Sequence, residues 1–159
     1  MVAACGGESE AFKTYKSFVN AVIRGDCTTM YALTEKDAVA FADLQCKPRS
    51  MNLMGKTIDL GSPASYVAGM RPNATPFNDP IMMERTIESE TRSPESNVVD
   101  LVVLEKSFQR RGNLVEPAWL RRHTVSVRKT RGQWKLTRFN EEILRDYGGE
   151  EAERQSTKE

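Results

Sequence analysis

Val125-Ser126-Val127-Arg128-Lys129-Thr130-Arg131-Gly132-Gln133-Trp134-Lys135-Leu136-Thr137-Arg138-Phe139 is the stretch that decides the fold. Val125 and Val127 alternate with Ser126 and Arg128, the period of two that marks a half-buried strand. Arg131-Gly132 breaks the alternation where a two-residue hairpin needs positive φ, which glycine adopts without strain. Beyond it, Trp134, Leu136 and Arg138 are expected on one face, opposite Lys135, Thr137 and Phe139. The segment reads as two antiparallel strands joined by a tight turn.

Working outward, residues 119–130 extend this pattern. Trp119, Arg121 and His123 fall on the face of Val125 and Val127, with Leu120, Arg122, Thr124, Ser126 and Arg128 on the other. Residues 98–109 are a β-branched run, and 82–90 alternate; both read as strands. Residues 11–24 carry Phe12, Tyr15, Phe18, Val19, Val22 and Ile23 at helical spacings of three and four. Ser9 is placed to cap that helix and Gly25 to end it. Asp26 is placed to cap a second helix through Leu33, with Met30, Tyr31 and Leu33 as its apolar contacts. A third helix is expected over 36–44, with Val39, Ala40 and Phe41 toward the core. Residues 51–60 fit helix or strand, Ser62-Pro63 opens a short helix through Met70, and three prolines make 71–80 a loop. Helices first and long antiparallel strands after give an α+β domain whose sheet curves around the N-terminal helices on one face and is wetter on the other.

The chain has 159 residues, enough for one core. Its 39% hydrophobic and 28% charged content is that of a globular domain rather than a disordered one. A net charge of +1 gives no reason to expect nucleic acid. Charge is nonetheless uneven: residues 106–138 hold ten Lys or Arg and one acid, Glu116, whereas 141–159 hold seven acids and three bases. A folded domain is therefore expected over 9–147, behind a tether at 1–8 and ahead of an acidic, solvated tail at 148–159.

The opening Phe12…Phe18-Val19-Asn20-Ala21-Val22-Ile23-Arg24-Gly25-Asp26 and the closing Gly132-Gln133-Trp134-Lys135-Leu136 resemble the nuclear-transport-factor-2-like superfamily, also called ketosteroid-isomerase-like or cone-fold. The resemblance spans roughly residues 9–145 and implies a cone whose open end binds small apolar ligands in some members. It also implies a possible homodimer through the sheet. The superfamily holds isomerases, dehydratases, cyclases, transport adaptors and accessory domains, so its fold does not give a function.

A catalytic site in such a cone needs a carboxylate inside apolar walls with a second acid or base beside it. Asp100 and His123 are the weak candidates. Asp100 alternates with Val98, Val102 and Leu104, which places it on an expected buried face, and His123 shares a face with Val125 and Val127. The two are placed to meet across neighbouring strands as an acid–base pair. Against that, Asp100 reads better as a strand-end carboxylate paired with Arg121 or Arg138. Tyr15, Tyr31, Tyr66 and the methionines Met51, Met54, Met70, Met82 and Met83 read as core or pocket lining. One histidine and three separated cysteines lack zinc-ligand spacing, so no metal or cofactor is expected. Arg121, Arg122, Arg128, Lys135 and Arg138 are candidates for an anion- or partner-binding face, or simply the solvated side of the sheet.

Val2-Ala3-Ala4-Cys5-Gly6-Gly7 resembles a bacterial lipobox, in which small residues lead to a cysteine that is lipidated. That implies an exported lipoprotein anchored at Cys5 on the periplasmic side of the membrane; the alternative is a cytoplasmic protein with an exposed thiol. With Cys5 set aside, Cys27 and Cys46 form either a disulfide, closing a loop of about twenty residues worth ~3 kcal/mol, or two buried thiols. The expected function is therefore non-catalytic: a membrane-tethered binding or accessory protein acting through its sheet face or cone mouth. The alternative is a small-molecule enzyme or ligand carrier using the cone interior.

Overall fold

The structure is a computed structural model that describes residues 7–69, 83–94, 96–111 and 113–147. Helix α1 spans Glu10–Arg24, α2 Cys27–Ala32 and α3 Ala38–Cys46. A hairpin of β1 (Arg49–Leu53) and β2 (Lys56–Gly61) follows, then α4 (Pro63–Gly69). Strands β3 (Met83–Arg92), β4 (Val98–Arg111), β5 (Leu114–Thr130) and β6 (Gln133–Asp146) complete the chain. The last four pair antiparallel in the order β3-β4-β5-β6, whereas β1 and β2 form a sheet of their own.

The helices start and stop for local reasons. Ser9 accepts a hydrogen bond from the Phe12 N–H and opens α1. Gly25 closes α1 at φ 67, and a Cβ there would fall on the Ala64 carbonyl oxygen, so glycine also lets α4 cross closely. Asp26 caps α2 through the Thr29 N–H, and a Cys27–Cys46 disulfide ties α2 to the end of α3. In α3 it is Ala38 and Ala42 that are buried, with Phe41 packed alongside, while Ala40 is exposed. The expected Val39-Ala40-Phe41 face is thus rotated, because a helix apolar nearly all round does not declare its inner side.

Register carries the core. Leu101 and Phe139 both lie opposite Val125, and Val99 and Leu136 both lie opposite Val127. These side chains are buried against Phe12, Tyr15, Phe18 and Val19 of α1. Phe139 meets Phe18 and Phe41 at ring-centroid distances of 5.1 and 4.6 Å. Simple alternation separates Leu136 from Phe139, but the register shifts at Ser126/Val127 and leaves Thr137 as the extra residue. The bulge returns Phe139 to the inner face and puts Arg138 outside, opposite Ser126. Further shifts at Ile87/Ser89, Ser107/Phe108 and Leu120/Arg121 add to the bending that curves the sheet around the helices. Thr34 forms a parallel bridge to Leu136, with Glu35 N–H donating to the Leu136 carbonyl at 2.9 Å and Leu136 N–H to that of Leu33 at 2.8 Å. The α2–α3 link is thereby stitched to the free side of β6.

Candidate functional site

The inner face of the sheet changes from apolar to polar along its length. On β4 the buried series Val99, Leu101, Val103 continues into Glu105 and Ser107. On β5 the series Val127, Val125 continues into His123 and Arg121. Two cross-strand rows result. One sets Val103, His123 and Glu141 side by side, and the next sets Arg85, Glu105 and Arg121 side by side.

Tyr15 descends from α1 onto the first row. Its hydroxyl lies 2.6 Å from His123 Nδ1, and His123 Nε2 lies 2.9 Å from Glu141 Oε2. Burial, and then the Glu105 carboxylate, push the Tyr15 phenol well above its ordinary pKa, with Arg85 opposing. The Tyr15 hydroxyl thus keeps its proton, and with the neutral ring protonated on Nε2 it donates to Nδ1. The ring proton then sits on Nε2 and is donated to Glu141. That hydrogen bond, more than the charge of Arg121, holds the Glu141 carboxyl below its usual range against the opposing effect of burial. In the second row Arg85 Nε donates to Glu105 Oε2 at 3.0 Å, with both side chains almost wholly buried. Arg121 reaches Glu141 at 3.4 Å and lies 4.4 Å over the Trp119 ring. Positive and negative charges alternate through Arg85, Glu105, Arg121 and Glu141, so no net charge is left inside.

His123 is 1% exposed and has both ring nitrogens engaged, so it has no lone pair free to take a substrate proton. The polar rows meet solvent at Arg121 and Glu141, whose side chains are each 28% exposed. Among the described residues Arg121 Nε has no hydrogen-bond partner. No group of three or more His, Cys, Asp or Glu among the described residues is placed to hold a metal ion.

Asp100 is not part of this site. It is exposed on the outer face, where its Oδ1 accepts from Ser126 Oγ at 2.5 Å. The expected Asp100–His123 pair does not form, because Val98, Val102 and Leu104 face outward and Val99, Leu101 and Val103 face inward. A strand apolar on both parities leaves its inner face undeclared, and a step of one residue exchanges the faces. The basic candidates divide likewise. Arg122, Arg128, Lys135 and Arg138 share the outer face, with Arg122 bound by Glu88 and Glu142 at 3.2 and 3.5 Å, whereas Arg121 points inward. Tyr31 is exposed and donates to Asp43 at 2.7 Å, and Tyr66 is exposed on α4. Met51 and Met54 are exposed rather than core, and Met83 is half-buried; Met70, Met82 and Cys5 lie outside the described residues. Arg85, Glu105 and Glu141 belong to the site without standing among the sequence candidates. The signal for Glu105 is an acid in phase with Val99, Leu101 and Val103.

No protein-family model matches the chain, and no curated protein matches it. Among solved structures it is similar to a provisionally named calcium/calmodulin-dependent protein kinase type II association domain from Thiobacillus denitrificans, at 18% identity and TM-score 0.46, over 83% of this chain and 93% of that one. It is also similar to an NTF-2 like protein of unknown function from Silicibacter pomeroyi, at 12% identity and TM-score 0.45, over 83% and 91% of the two chains. A provisionally named ketosteroid isomerase from Shewanella frigidimarina is similar at 13% identity and TM-score 0.45, over 85% and 96%. The structural neighbours of this helix-backed antiparallel sheet are thus nuclear-transport-factor-2-like and ketosteroid-isomerase-like proteins.

Proposed function

We propose that this chain is a non-catalytic binding or accessory protein, tethered by lipid on Cys5 to the periplasmic side of a bacterial membrane. The observation that carries the non-catalytic part is the engagement of both His123 nitrogens by Tyr15 and Glu141. A buried histidine fixed in this way orders the core and is closed to substrate. The Cys27–Cys46 disulfide supports an oxidising compartment, and the small residues before Cys5 support lipidation. Labelling with radioactive palmitate in a bacterium, from the gene with its natural upstream region, tests the tether. Label and membrane sedimentation are expected in the native protein and absent in Cys5→Ser; an unlabelled, soluble native protein sinks the proposal.

A second function is favoured by one feature, the part-exposed Arg121–Glu141 corner beside a buried Arg121 Nε that has no hydrogen-bond partner among the described residues. There the cone would carry or transform a small molecule bearing an oxyanion. A stabilising shift in melting temperature with a small carboxylate, lost in a folded Arg121→Met variant, would select this alternative.

A further inference from the structure

The β1–β2 hairpin has an apolar side that its own fold does not use. Register places Met51 opposite Ile58 and Leu53 opposite Lys56, while Ser50 faces Asp59 and Asn52 faces Thr57. Alternation therefore collects Met51, Leu53 and Ile58, with Leu60 two residues on, along one side. The other side is polar and internally bonded: Thr57 donates to Asn52 at 3.0 Å, and Asp59 accepts from the Gly61 N–H at 2.8 Å. All the apolar side chains on the first side are exposed, Leu53 at 51%, and Met54 at the tip is 97% exposed.

Folding does not account for the tip. The turn residues Met54 and Gly55 have φ of 51 and 76, which asks for Asn-Gly or Asp-Gly. A methionine there sits in an unfavourable conformation with its thioether in water, so its identity answers to something outside the chain. The hairpin is also cationic where it is apolar. Arg49 and Lys56, at its base and tip, share the parity of Met51, Leu53 and Ile58, and neither makes an ion pair among the described residues. Its only acid, Asp59, belongs to the polar side.

We propose that the β1–β2 hairpin docks onto an anionic phospholipid surface, with Leu53 and Met54 entering the boundary between headgroups and acyl chains and Arg49 and Lys56 at the phosphates. Flexible apolar side chains at a tip flanked by long cationic ones match that boundary, where the stems bury and the charges stay wet. Cations at both ends of the strip, without an ion pair among the described residues, match a plane of repeated phosphates. The docking belongs to the hairpin itself and stands whether or not Cys5 carries lipid.

The full chain with Cys5→Ser, which removes any lipid, separates this docking from the tether. It is expected to sediment with phosphatidylcholine vesicles containing phosphatidylglycerol, and far less with phosphatidylcholine alone. Leu53→Asp with Met54→Asp is expected to weaken that binding roughly tenfold or more, and Arg49→Gln with Lys56→Gln to weaken it and lessen its dependence on salt. An environment-sensitive dye on Met54→Cys in the same background should brighten and shift to the blue on phosphatidylglycerol vesicles. Circular dichroism shows that each variant has kept its fold. Failure of the Cys5→Ser chain to bind these vesicles, or unchanged binding by the folded aspartate variant, overturns the docking. So does concentration-dependent dimerisation that the aspartate variant abolishes without vesicle binding, which would make the hairpin a protein interface.

Discussion

Tyr15, His123 and Glu141 hold the polar end of the core through two hydrogen bonds, and each is open to a direct test. Tyr15→Phe leaves Nδ1 buried with no donor, and a loss of about 1–3 kcal/mol is expected in chemical denaturation. Glu141 has its carboxyl held down in the folded chain, so it contributes stability above its unfolded pKa. That contribution is lost as the pH falls through the lowered folded value. Stability measured from neutral pH downward should therefore drop more steeply in the native protein than in Glu141→Gln. Arg85 and Glu105 behave differently, since removing one partner strands a buried charge. Arg85→Met is expected to cost about 3–5 kcal/mol, and Arg85→Met with Glu105→Leu to recover most of it. A double variant as unstable as the single one would show that the pair is more than mutual neutralisation. At this scale the sequence discloses His123 through its phase with Val125 and Val127. It hides Glu105 and misplaces Asp100, because both parities of β4 are apolar over residues 98–104.

Whole elements are far more legible than their faces. Ser9, Gly25 and Asp26 sit where capping chemistry requires, and α1 and α2 follow within a residue or so. The Arg131-Gly132 turn and the four long strands are likewise readable from alternation and a glycine at positive φ. The Thr137 bulge is not, since nothing in Leu136-Thr137-Arg138-Phe139 marks which residue is extra. The strip 51–60 is ambiguous in sequence because its exposed strands answer to no core, and a pattern without burial has no phase. Two element-scale effects follow from contacts already described. Gly25→Ala must leave the left-handed conformation or displace α4, and a loss of at least ~2 kcal/mol in thermal or chemical unfolding is expected. Replacing Cys27 and Cys46 by serine should cost about 3 kcal/mol, and in the native protein both thiols should resist alkylation until a reductant is added.

The molecule as a whole is a meander of four strands with its hollow side filled by α1. Periodicity makes that arrangement readable in outline: helices with one apolar stripe need a sheet face, and the sheet behind them needs no second layer. The polar rows deep in the hollow are the part that pattern alone misses, since they depend on which strands lie side by side. Because Leu136 closes both the strand pairing of β6 and the bridge to Thr34, the α2–α3 link is completed only by a strand about a hundred residues later. A growing polypeptide emerging from the ribosome therefore has no finished core until residues past 136 are available. Until then its helices stay open to chaperones.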